Sequence, residues 1–86
     1  MPEICRFLGV VIKMFYREHE PAHFHAVYGE HRIVVYLETG VVEGHFPRRV
    51  LGHVLEWYQL HRAELEGDWR LATQRKPLKG IPRWKK

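Results

Sequence analysis

A chain of 86 residues can bury one hydrophobic core but not two, so every functional group must sit on the same small scaffold, which excludes a multidomain enzyme. A hydrophobic share of 45% with 13% aromatics lies well above that of a disordered chain, so most of the sequence should fold. The net charge of +4 is unevenly placed: six basic residues and no acid stand between Arg75 and Lys86, leaving eight basic and ten acidic residues before them. Cys5 is the sole cysteine and no signal-like segment precedes the first apolar run, so a reducing, cytoplasmic setting is expected. The longest apolar stretch, Phe7 to Tyr16, is interrupted by Lys13 and falls far short of the roughly 20 residues a spanning helix needs, so no membrane association is expected.

Residues 4 to 17 are rich in β-branched and aromatic types without a helical period and read as one strand, with Gly9 as a bulge. Both of its faces are apolar. Glu18 to Ala22 form a polar knuckle that Pro21 closes, and strand character resumes at His23 to Tyr28. Gly29-Glu30 predicts a tight turn into residues 31 to 38, where Ile33, Val35 and Leu37 alternate with Arg32, Val34, Tyr36 and Glu38. Thr39-Gly40 turns the chain again into a short strand, Val41 to Glu43. Connections this short pair strands antiparallel.

From Pro47 the period changes. Val50, Val54, Trp57, Tyr58, His61, Leu65, Trp69 and Ala72 recur at spacings of three and four, one stripe along a helix from about 48 to 75, with Gly67-Asp68 as the place where it could divide. The fold expected is α+β: a small antiparallel sheet of three to four strands packed on one long C-terminal helix. Residues 1 to 75 form the domain, and residues 76 to 86 a loose basic tail. One helix covers only one face of a sheet, so the second apolar face should be buried by a homodimer or a small cognate partner protein.

His19, His23 and His25 form the densest chemical segment, and a hairpin would bring them together. Three readings stay open. As acid–base groups, imidazoles with an ordinary pKa near 6.5 could cleave RNA through its 2′-hydroxyl, with Arg6, Lys13 or Arg17 stabilising a pentacovalent phosphate and no cofactor required. As ligands, the three His could hold a divalent transition metal such as Zn²⁺ and leave a coordination position open. As structural residues they would hydrogen-bond backbone carbonyls. Lys79, Arg83, Trp84, Lys85 and Lys86 are candidates for contacts to nucleic acid, since cations can meet phosphates and an indole can stack on a base; the alternative is a solvated end. His61 reads as a core histidine or a fourth member of the cluster, Cys5 as a small buried apolar residue, and His31, His45 and His53 show no mutual pattern. No nucleotide-binding loop, nucleophile elbow or H-E-x-x-H motif is present.

The opening MPEICRFLGVVIKMFYREHEPAHFHAVYG, with its H-x-P-x-H-F-H segment, and the later FPRRVLGHVLEWYQLHRAELEGDW resemble a family of short bacterial proteins, domain of unknown function 4160, over roughly residues 1 to 75. The family pattern falls on His19, Pro21, His23, Phe24, His25, Trp57, His61 and Trp69, with Glu20 and Ala22 where relatives often carry Pro or other small residues. Members often lie beside a gene for a second small protein, so the resemblance implies one half of a toxin–antitoxin-type pair. It brings no catalytic assignment.

Overall fold

The computed structural model of the chain describes residues 3–16 and 19–82. Five strands, β1 (Glu3–Phe7), β2 (Val10–Lys13), β3 (His23–Tyr28), β4 (His31–Tyr36) and β5 (Val42–Gly44), precede two helices, α1 (Arg48–Leu60) and α2 (Arg62–Thr73). The strands lie side by side in chain order, every neighbouring pair antiparallel. The α+β class is as expected; the strand and helix counts differ, each for a local reason.

The run 4 to 17 is not one strand. It folds back at Leu8-Gly9, with Phe7 opposite Val10, and both turn residues have positive φ, 50° and 81°, as a type I′ hairpin turn requires. Gly9 takes that conformation without strain, whereas Leu8, 58% exposed, meets it with a γ-branched side chain. Leu8→Asn should therefore raise stability by about 0.5–1 kcal/mol, read as a shift of the urea midpoint at unchanged slope.

The helix divides at His61, which sits at φ −118° and ψ 25° between α1 and α2, and not at Gly67-Asp68, which lie inside α2. The stripe survives the break because its spacing of three and four crosses His61 unchanged: Val54, Trp57, Tyr58, Leu65, Trp69 and Ala72 are all buried. They pack on the inward face of the sheet, where Ile4, Phe7, Val10, Ile12, Phe24, Ala26, Ile33 and Val35 complete the core. Trp57 is its centre, fully buried, stacked on Phe7 at 5.5 Å and edge-on to Phe24 at 5.8 Å.

The tail also departs from expectation. Up to Pro82 it is a strap lying back across the domain: Lys79 N–H donates to Asp68 Oδ1 (2.9 Å), Ile81 N–H to the Ile4 carbonyl (2.8 Å), and Trp57 Nε1–H to the Pro82 carbonyl (3.0 Å). Ile81, two residues from Lys79 and from Arg83 in the sequence, is 6% exposed. Cys5 is buried beside the strap, its Sγ 3.6 Å from the Pro82 carbonyl.

Candidate functional site

Both helices and the strap lie on one side of the sheet, and among the described residues no helix covers the other side. Residues directly opposite in antiparallel strands point to the same face. Glu3, Lys13, His25, Val34 and Glu43 thus stand in one row across all five strands, and Arg6, Val11, Val27 and Arg32 in the next. Val11, Val27, Val34 and Tyr36 are only half-buried there. Centred on the first row is a concave pocket of about 360 Å³ lined by Lys13, Phe15, His25, Val27, Arg32, Val34 and Glu43. The Phe15 ring meets the His25 ring edge-on at 4.6 Å, so an aromatic wall stands beside the imidazole. At the far side Tyr36 Oη–H donates to Glu43 Oε1 at 3.0 Å, a bond that holds the carboxylate in place and pushes the tyrosine pKa up.

Each sequence candidate now has a position. His25 lies in the pocket. His23 is its neighbour, ring centroids 5.2 Å apart, but is 8% exposed and enclosed by Tyr36 and Trp69. Its Nδ1 is 2.8 Å from the Pro21 carbonyl, so Nδ1 carries the proton and the ring braces the knuckle before β3. Of the two acid–base candidates on β3, His25 is therefore the one that lines the pocket. His19 is exposed in that knuckle and takes no part in the pocket lining. Among the described residues, no group of three His, Cys, Asp or Glu is placed to hold a metal ion, the alternative reading of His19, His23 and His25.

Arg6, expected to contact phosphate, is on β1, two strands from His25. It forms an exposed bidentate pair with Glu3 at 2.8 and 2.9 Å, which lowers the glutamate pKa and raises that of the arginine. Arg17, Arg83, Trp84, Lys85 and Lys86 lie outside the described residues. Lys79 is exposed on the strap, away from the open face. His61 faces Trp57 at 5.6 Å and pairs with Glu64, joining the helical side and not the histidines of β3.

Arg32 and Glu43 were missed by the sequence reading. The signal that locates them is register: the Gly29-Glu30 turn sets His31 opposite Tyr28, which places Val34 opposite His25 and Arg32 one position along the same face.

Among the described residues, no helix is long and apolar enough to cross a membrane. The architecture is that of a small α+β domain, a five-stranded meander backed by two helices, with a pocket of mixed charged, aromatic and aliphatic lining on the face opposite the helices. Residues 9–70 of the 86 match the family described as domain of unknown function (DUF4160), and the chain belongs to it. No curated protein and no solved structure matches the chain.

Proposed function

We propose that the protein is the RNA-directed member of a toxin–antitoxin-type pair and cleaves RNA by metal-independent acid–base chemistry on the open face of its sheet. One observation carries the reading: Lys13, His25, Arg32 and Glu43 line a single pocket beside an aromatic wall. In this reaction Glu43 removes the proton of a ribose 2′-hydroxyl as its oxygen attacks the adjacent phosphorus. His25, entering as imidazolium, donates a proton to the departing 5′-oxygen. The products are a 2′,3′-cyclic phosphate and a free 5′-hydroxyl, with proton transfer balanced between the two side chains. Lys13 and Arg32 neutralise the charge that builds on the equatorial oxygens. Phe15 provides a surface on which a base can stack.

The test is incubation of EDTA-treated protein with an RNA oligonucleotide and its DNA counterpart. RNA should be cut to cyclic-phosphate ends and DNA left intact. His25→Gln should lower the rate about 10²–10⁴-fold, the usual contribution of a positioned general acid, while the circular dichroism spectrum is unchanged. Uncut RNA, or a His25→Gln variant as active as the parent, would remove the proposal.

A further inference from the structure

We propose that the cleft between α2 and the C-terminal strap is a binding site for a primary ammonium group carried on an aliphatic stem. This site is on the helical side of the domain and independent of the open face. Asp68 is its centre, 2% exposed. Its Oδ1 accepts the Lys79 N–H that ties down the strap, but its Oδ2 is buried with no hydrogen-bond partner among the described residues. Anchoring the strap therefore accounts for one carboxylate oxygen and leaves the other without a role, in a setting where an unpaired polar atom is costly.

The surroundings specify the ligand. Glu64 precedes Asp68 by four residues on α2, so both carboxylates face one side, and both line a cleft of about 360 Å³ closed by Leu71 and Ile81. Two acids against the single cation Lys79, which also lines the cleft, favour a cation over an anion. An ammonium, with three donors and no acceptor, can satisfy Asp68 Oδ2 and reach the Glu64 carboxylate while its stem lies on Leu71 and Ile81. Gly67 leaves the cleft wall bare: a Cβ there would meet nothing within 4 Å. Burial pushes the Asp68 carboxyl up; the bond from the Lys79 amide and the charge of the Lys79 side chain oppose it, the charge of Glu64 adds to it, and a bound cation would offset the burial further.

A free alkylamine and a lysine side chain of another protein share this chemistry. The full chain at neutral pH is titrated, with backbone amides followed by NMR, against n-butylammonium, against a short end-capped peptide whose only charge is one lysine, and against tetramethylammonium, which lacks N–H donors. Saturable shifts at Gly67, Asp68 and Gly80 are expected with the first two probes and not the third. Tighter binding of butylammonium identifies a free amine as the ligand, and tighter binding of the peptide a lysine. Asp68→Asn, whose Oδ1 still accepts the Lys79 N–H, should weaken binding at least ten-fold. Gly67→Leu, which fills the cleft and favours the helix, should do the same without touching the carboxylates. Absence of saturation, equal shifts with tetramethylammonium, or binding that survives in Gly67→Leu would overturn the assignment.

Discussion

Trp57→Ala is expected to destabilise the domain by about 3–5 kcal/mol, the range for truncating a fully buried large aromatic side chain. Native domains are stable by only about 5–15 kcal/mol, so the variant should be substantially unfolded at 37 °C. The substitution removes three things together: stacking on Phe7, the edge contact with Phe24, and the Nε1–H bond to the Pro82 carbonyl. The last of these gives the loss a particular signature. Hydrogen exchange at the Ile81 amide, which is bonded to Ile4, should rise before exchange in β3 and β4, because the strap loses an anchor that the sheet does not use. Trp57→Phe retains most of the stacking and lacks only the indole donor, so about 1–2 kcal/mol is expected, with the same early loosening of Ile81. Urea unfolding followed by circular dichroism, with amide exchange on both variants, checks the order. Uniform loosening across the sheet would mean that the strap is not held through Trp57.

That centre was legible before any coordinates. The helical stripe and the alternation of Ile33, Val35 and Leu37 against Val34 and Tyr36 are simple periods, and each residue of those sets lies on the side its period assigns. What escaped the sequence has a common cause. Leu8-Gly9 is a hairpin turn without the Asn-Gly or Asp-Gly chemistry that marks one, because the conformation is imposed on Leu8 by the strands on either side. His61 interrupts the helix without disturbing the stripe. Ile81 anchors the strap from within a segment whose composition reads as solvated, since its partner Ile4 is 77 residues away. Local patterns carry period and propensity; they carry no information about contacts between distant segments.

The candidate site divides along the same line. His25 and Lys13 were visible as residue types, but which imidazole meets solvent depends on Trp69 and Tyr36 enclosing His23, and Trp69 comes from a helix 46 residues further on. Arg32 and Glu43 join His25 only through strand register. A histidine-rich string thus located the strand and not the pocket's full set of charged residues.

Gly44 links the fold to that pocket. A Cβ at this position would lie 2.4 Å from the Arg32 carbonyl oxygen and 3.1 Å from Ile33 Cα, both backbone atoms of β4 that cannot give way as a side chain can. Its φ of 105° is a conformation that L residues rarely adopt. Gly44→Ala is therefore expected to cost about 1–3 kcal/mol from backbone strain alone, with the steric conflict added to it. The strand that yields should be β5, which has three residues and a partner on one side only, and not β4 at the interior of the sheet. Glu43 is the residue before Gly44, so peeling β5 carries this carboxylate away from His25 and Lys13 while leaving those two in place. In the proposed reaction the variant should lose its general base and keep its general acid. RNA cleavage should fall sharply even where the remaining fold is intact by circular dichroism, and it should be rescued in part by a base in solution such as imidazole. Glu43→Gln, which leaves β5 seated, should show the same loss of rate without the loss of stability. Full activity in Glu43→Gln would assign the proton abstraction to another group, and an unchanged unfolding midpoint in Gly44→Ala would show that β5 accommodates a side chain where its backbone lies against β4.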